Sequence, residues 1–226
     1  LHHATSVDLE QLRTMHDMER VVDFRTDAER QADPDPKQKL PGIVFYDLPV
    51  FQESAIGITH EGGLAGDVKA LERFRGKPFE AVRQLYPECL LGEEGMQAYG
   101  DFLRVLLGAR AGATLWHCTE GKDRAGLAAI LVEYALGVSP EHIRADYLAT
   151  NRFVRTWAEK MLDHLAQHHL LEGVDADIDA IFYAQMEYYD AAFDAVRKEF
   201  GSVDNYLHDG LDFGPDAVIE LRERYL

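Results

Sequence analysis

The chain has little cysteine: Cys89 and Cys118 are the only two in 226 residues, too few for a disulfide framework. Such sparing use suits a reducing compartment, so a cytoplasmic location is expected. The sequence starts at Leu1, a signal peptide cannot be read from it, and secretion stays open. No stretch of about 18 residues is continuously apolar, so no integral membrane span is written in it. Positive charge is also scarce, with 23 Lys and Arg against 40 Asp and Glu, a net charge of -17. That balance argues against nucleic acid or an anionic lipid surface as the principal partner. It leaves a phosphate ligand open, because distant surface carboxylates are screened beyond a Debye length of about 8 Å. Internal repeats and low-complexity tracts are missing too, which excludes a solenoid or a long disordered tail.

What is present is ordinary for a globular protein: 46% hydrophobic and 28% charged residues. Residues 1–226 are enough to bury one core, and a single domain is expected. Ser6, followed by Leu9, Glu10 and Leu12, reads as the cap of a short helix. Residues 20–24 and 43–46 read as short buried strands, separated by a proline-rich loop at 31–42. Glycines around His60 predict an exposed rim at 59–66. Helical pieces follow at 69–74 and 80–85, and a stronger helix at 93–107 carries Met96, Tyr99, Phe102, Leu103 and Leu106 on one face. Ser139 and Pro140 open a helix through Tyr147, and residues 152–170 and 177–200 form two long amphipathic runs joined near Gly173. Short helices from Gly201 to His208 and from Gly214 to Tyr225 complete the chain. His164 and His168, four apart, have metal-binding spacing but no third ligand at a matching offset, which favours solvated histidines.

The chemistry concentrates in one decapeptide, His117-Cys118-Thr119-Glu120-Gly121-Lys122-Asp123-Arg124-Ala125-Gly126. Before it, residues 113–116 are apolar and β-prone; after it, residues 126–136 are rich in Ala and Leu. This is the pattern of a strand, a loop and a helix N-terminus. The amides of such a loop and the first helical turn favour an anion of phosphate size. A cysteine beside cations and a helix N-terminus becomes a nucleophilic thiolate, while Arg124 offers a planar fork that matches two phosphate oxygens. Read alone, Cys118 would be a buried small hydrophobe. His, Cys, Gly and Arg at these offsets arise by chance roughly once in 10^6 starting positions, which favours the site. Cys89 reads as a core residue, with a redox partnership to Cys118 as the alternative. Asp23, Arg25, Asp27, Glu29 and Arg30 crowd the carboxyl end of the first strand. Arg25 there either touches substrate or the loop, or belongs to an ion-pair cluster bracing the sheet.

The decapeptide resembles the His-Cys-x5-Arg phosphate-binding loop of the cysteine-dependent protein tyrosine phosphatase superfamily. Its Gly-Lys-Asp-Arg core is similar to that of a bacterial and fungal branch that includes secreted mycobacterial and listerial phosphatases. Val21-Val22-Asp23-Phe24-Arg25 with Glu29, Leu136-Gly137-Val138, Asp146-Tyr147-Leu148 with Asn151, and the tail from Gly201-Ser202 to Tyr206-Leu207 are similar to it as well. The resemblance implies an α/β fold: a central, mostly parallel sheet flanked by helices, with a helix-rich C-terminal half. A first strand would precede residue 1.

It also implies a phosphatase with neither cofactor nor metal, acting on protein phosphotyrosine, with dual-specificity or phosphoinositide activity as the alternative; the partner is a phosphorylated protein or phosphoinositide. Cys118 would form a thiophosphoryl intermediate, with Thr119, Glu120, Gly121, Lys122, Asp123 and Arg124 around the phosphate. Asp123 would be the general acid. Asp47, after the second strand, occupies the position where many superfamily members carry a mobile acid loop and is the alternative. Lys122 would recognise a second negative group or lie as a solvated flank, His117 would orient Cys118, and the later helices would form either a lid or a plain bundle. The family usually has Thr or Ser where this chain has Ala125, so slow breakdown of the intermediate is expected. A rhodanese-type sulfurtransferase, an arsenate reductase and a phosphate-binding pseudoenzyme are the competing readings. Oligomeric state is not written in the sequence.

Overall fold

The computed structural model describes residues 1–53, 55, 58–59, 77–109, 111–167 and 175–226. The expected rim at 60–66, the helical piece at 69–74, the junction near Gly173, His168 and the side chain of His164 lie outside what it describes.

Three strands form the sheet among the described residues: β1 (Met18–Asp23), β2 (Val44–Asp47) and β3 (Ala113–His117). Their order is β2-β1-β3 and all are parallel, with Asp23 in register with Asp47 on one side and His117 on the other. The carboxyl ends of the strands therefore share one edge, where open α/β sheets bind ligands. Val21, Val22 and Phe24 are fully buried, as a parallel strand covered on both faces requires.

Helix α1 (Ser6–Thr14) is capped by Thr5, not Ser6: the Thr5 hydroxyl accepts from the Asp8 amide while the Asp8 carboxylate accepts from the Thr5 amide. This capping box uses Asp at the third helical position, which shifts the start by one residue from the sequence expectation. Helix α2 (Asp27–Ala32) repeats the device with Thr26 and Glu29. Helix α3 (Pro78–Leu91) outruns the expected piece at 80–85 and continues through Pro87. An interior proline costs a hydrogen bond, but Tyr86, Cys89 and Leu90 are fully buried around it, so tertiary packing outweighs the local penalty. Helix α4 (Glu93–Gly108) begins directly afterwards, and a Cβ on Gly95 would lie 2.0 Å from the Cys89 carbonyl oxygen. Only glycine permits that approach.

Helix α4 packs beneath the sheet through its expected face. Phe102 lies 5.3 Å from the ring centre of Phe24 in edge-on contact and 5.3 Å from Trp116. Helix α5 (Arg124–Leu136) follows β3 and is buried through Leu127, Ala128, Ile130, Leu131 and Ala135. Its near-uniform apolarity fits a helix packed on several sides. Ser139 caps α6 (Pro140–Ala149), and α7 (Asn151–Gln167) comes next.

The single run expected at 177–200 is two helices, α8 (Asp175–Phe182) and α9 (Met186–Phe200). Between them the Asn151 side chain replaces the interrupted helical bonds. It donates to the Ala184 carbonyl at 3.0 Å and accepts from the Ala184 amide at 2.7 Å. The expected helix at 201–208 is a short turn, Val203–Asn205, passing into a wider one, Tyr206–Gly210. The chain closes with α10 (Pro215–Tyr225). Among the described residues no helix is long and apolar enough to cross a membrane.

Candidate active site

The decapeptide joins β3 to α5 at the carboxyl edge of the sheet. Residues 118–123 form the connecting loop, and Gly121 turns it with a φ of +77°, a conformation side chains with a Cβ rarely adopt. Two bonds fix the helix that receives it: Tyr99 donates its hydroxyl to the Arg124 carbonyl at 3.0 Å, and the Trp116 indole donates to the Ala125 carbonyl at 3.3 Å. Asp123 is the N-cap residue, yet its carboxylate makes no capping bond to the first turn. The amides at this helix start are thus not capped by the residue best placed to cap them, which keeps the positive end of the helix available to an anion.

Arg124 is completely buried. Its Nη1 donates to Glu29 Oε2 at 2.6 Å and its Nη2 to Glu29 Oε1 at 2.8 Å, while Nη2 also reaches the Ile58 carbonyl at 3.0 Å. Thr119 adds a hydroxyl bond to Glu29 Oε1 at 2.5 Å, and the Thr26 amide donates to Oε2 at 2.9 Å. Burial alone would discharge both partners. Instead, the guanidinium and these donors hold the Glu29 carboxyl well below the usual carboxylate range. Burial likewise opposes charge on Arg124, and Glu29, with Cys118 and Asp123 nearby, overrides it. One guanidinium donor is left over: Arg124 Nε is buried and has no hydrogen-bond partner among the described residues.

Cys118 is 6% exposed, at the floor of this arrangement. Its carbonyl faces His117 Nδ1 at 2.9 Å, and His117 Nε2 faces Asp35 at 3.0 Å. Asp35 in turn meets Arg25 Nη2 at 3.2 Å, and Arg25 grips Asp23 through Nε at 3.0 Å and Nη2 at 2.8 Å. The structure places Arg25 in this buried ion-pair cluster, and none of its described contacts reaches the loop directly. Asp23, Asp35 and His117 do bring ligand atoms within 4.8 Å of one another. The Arg25 guanidinium lies between the two carboxylates, so the cluster is neutralised by the chain itself.

Asp123 is buried at 2% exposure between two partners. Tyr86 donates its hydroxyl to Oδ1, and Lys122 Nζ lies 3.4 Å from Oδ2. Lys122 is not a solvated flank. It is fully buried, donates to the Ile181 carbonyl of α8, and lies 3.7 Å from Glu120. Paired carboxylates draw the ammonium inward, keeping it charged despite burial. Asp47 is not brought to the loop. It lies on the outer strand, across β1 from His117, exposed and paired to Lys37 at 3.2 Å. Cys89 is a fully buried member of the core cluster that also contains Cys118. Ala125 is buried there as well.

Glu29, Asp35, Tyr86 and the Ile181 carbonyl are site residues that the sequence pattern did not single out for a role. Glu29 had a signal in the Thr26-to-Glu29 capping spacing and in the crowded end of β1. Tyr86, 37 residues from its partner, had none.

Comparison with known proteins agrees with this geometry. A family model described as the tyrosine phosphatase family matches residues 1–226. A candidate tyrosine-protein phosphatase of Cupriavidus necator is 32% identical over 228 residues, covering 99% of this chain and 75% of that protein. The triple specificity protein phosphatase PtpB of Mycobacterium tuberculosis is 30% identical over 113 residues, covering 46% of this chain and 41% of that protein. A strand-loop-helix that gathers a cysteine, a carboxylate-held arginine and a buried aspartate thus sits in a chain matched along its length by one family, and the chain belongs to the tyrosine phosphatase family and is a phosphatase.

Proposed function

We propose that the enzyme hydrolyses protein phosphotyrosine through Cys118. One observation supports this most: Arg124, at the N-terminus of α5, is pinned by Glu29 through both terminal nitrogens, while its buried Nε has no hydrogen-bond partner among the described residues. That donor set suits a phosphoryl group and matches the loop amides.

In the first step the Cys118 thiolate attacks phosphorus, the S–P bond forms, and the bond to the leaving oxygen breaks. Asp123 passes its proton to that oxygen. In the second step water attacks phosphorus, gives its proton to the Asp123 carboxylate, and the thiolate departs, releasing phosphate. The α5 N-terminus and Arg124 neutralise charge on the equatorial oxygens throughout.

The near-complete burial of Cys118, 6% exposed, supports an aryl ester, because the ring of phosphotyrosine carries phosphate farther from its backbone than a serine or threonine side chain does. Dual-specificity or phosphoinositide activity is the second reading, favoured by the name of the mycobacterial relative. The burial of Lys122 among Asp123, Glu120 and Ile181 weighs against its serving a second phosphate in this conformation. Hydrolysis of p-nitrophenyl phosphate should vanish in Cys118→Ser, and a panel of phosphotyrosine peptides, phosphothreonine peptides and phosphoinositides should rank the peptides bearing phosphotyrosine first. Activity retained by Cys118→Ser would reject the nucleophile, and a phosphoinositide at the head of the panel would reject the substrate.

A further inference from the structure

Against Asp123 of the loop lies a buried pair of hydroxyls that the chemistry above does not use. Tyr86 of α3 is fully buried and Tyr147 of α6 is 4% exposed, and their hydroxyl oxygens are 2.9 Å apart. Tyr86 makes its other hydroxyl contact with Asp123 Oδ1. A phenol carries one proton, and the carboxylate oxygen is the stronger acceptor, so the donors run from Tyr147 to Tyr86 to Asp123. The Tyr86 ring is wedged by Tyr188 of α9, with ring centres 5.1 Å apart. It has no freedom to follow a moving carboxylate.

We propose that Tyr86, backed by Tyr147, is a positioning residue for proton transfer: it occupies Oδ1 of Asp123 and thereby assigns the transferable proton to Oδ2. This rests on the reading of Asp123 as the general acid. Without Tyr86, the two carboxylate oxygens exchange by rotation about the side chain, and the proton is no longer assigned to one of them. With Tyr86, one oxygen always accepts from a phenol, and the other carries the exchangeable proton. Burial, with Asp123 and Tyr147 adding to it, pushes the Tyr86 phenol well above its ordinary range. It therefore stays a donor and never competes as the acid. Oδ2 faces Lys122 Nζ at 3.4 Å.

The proposal separates alignment of a proton from binding of phosphate, and leaving-group dependence reads that difference. An ester with a good leaving group, p-nitrophenyl phosphate, needs little help from an acid, whereas phenyl phosphate needs much. Positioned acids contribute about 10^2 to 10^4 in rate; losing the alignment should forfeit part of that. Tyr86→Phe is expected to lower kcat/KM for phenyl phosphate about tenfold and for p-nitrophenyl phosphate less than about twofold, with inhibition by inorganic phosphate unchanged. Tyr147→Phe should act in the same direction, more weakly. In an Asp123→Asn background, Tyr86→Phe should add no further leaving-group dependence.

An equal fall on both esters would mark Tyr86 as a packing residue and overturn the proposal, as would no change on either. Thermal unfolding of Tyr86→Phe keeps these outcomes separate from a folding defect, since the ring is retained. The two readings also fail differently. If Asp123→Asn loses no more on phenyl phosphate than on p-nitrophenyl phosphate, the acid assignment falls and takes this proposal with it. If Asp123→Asn shows that dependence and Tyr86→Phe does not, only the role of Tyr86 falls.

Discussion

Glu29 holds Arg124 by both terminal nitrogens, at 2.6 Å and 2.8 Å, and aims the remaining Nε away from itself. Both partners are almost fully buried, so the pair sets orientation more than it adds net stability. Glu29→Gln keeps the shape but leaves a buried guanidinium with one acceptor in place of a bidentate carboxylate. Breaking one side of such a pair costs about 3–5 kcal/mol. The expected outcome is a clear drop in melting temperature together with weaker inhibition by inorganic phosphate and a fall in kcat/KM of about 10^2, the size of loss seen when one preorganised anion donor is removed. Wild-type phosphate affinity in Glu29→Gln would show that Arg124 finds its place unaided.

The same pair makes stability depend on pH at the acid end. The Glu29 carboxyl is held low against burial by Arg124, and Asp35 likewise, chiefly by His117. A carboxyl depressed in the folded state binds fewer protons there than in the unfolded chain. Its stabilisation is whole above the ordinary carboxylate range, near pH 4, and drains as pH falls below it toward the depressed value. Urea unfolding between pH 5 and pH 2 should show wild type losing stability more steeply than Glu29→Gln. Parallel slopes would mean that Glu29 is no better held in the folded protein than in the unfolded one.

Glu133 runs the other way. Burial, with Asp146 adding repulsion, pushes its carboxyl up to about 7, and its Oε2 has no hydrogen-bond partner among the described residues. The folded state therefore binds a proton that the unfolded chain has lost, and stability falls as pH rises from about 4.5 through about 7. Glu133→Gln removes the ionisation. It should raise stability at pH 8 by on the order of 1 kcal/mol, a figure discounted for the part of the side chain that faces solvent, and by less at pH 5. Melting curves at the two pH values decide it, and an equal effect at both would rule out the titration.

The loop, the strand before it and the helix after it were legible because all their signals are local. The apolar run of β3, the Ala- and Leu-rich α5, and the cysteine and arginine between them sit within two dozen residues. The face of α4 was legible for the same reason, through a period that survives in the sequence. What joins the loop to the rest was not. Glu29 to Arg124, Tyr86 to Asp123 and Lys122 to Ile181 are separated by 95, 37 and 59 residues, and no periodicity encodes a contact at that range. The break between α8 and α9 was hidden too, because its compensation comes from Asn151, 33 residues earlier. Lys122 reads either as a contact to a second negative group or as a solvated flank, because lysine usually stays in water; its burial depends on Glu120, Asp123 and a carbonyl of a distant helix.

Ala125 follows Arg124 on α5, where the resembling family usually has a hydroxyl. In the second chemical step the thiolate must leave phosphorus, and a hydroxyl beside it would stabilise the departing charge. Ala125 offers no donor, so breakdown of the thiophosphoryl enzyme should limit turnover with a good leaving group. Rapid mixing with p-nitrophenyl phosphate is expected to show a burst of p-nitrophenol of nearly one equivalent before a slower steady rate. Ala125→Thr should raise the steady rate about tenfold, less than the roughly 10^2 to 10^3 that removing one preorganised donor costs, while leaving the burst rate within about twofold. The backbone carbonyl of residue 125, which accepts from Trp116, is preserved by the substitution, so the helix start should hold. The added volume falls at a buried position and should appear as a modest loss of melting temperature, separable from the kinetic effect. A wild-type reaction with no burst would place the slow step before the intermediate, and Ala125→Thr would then have nothing to accelerate.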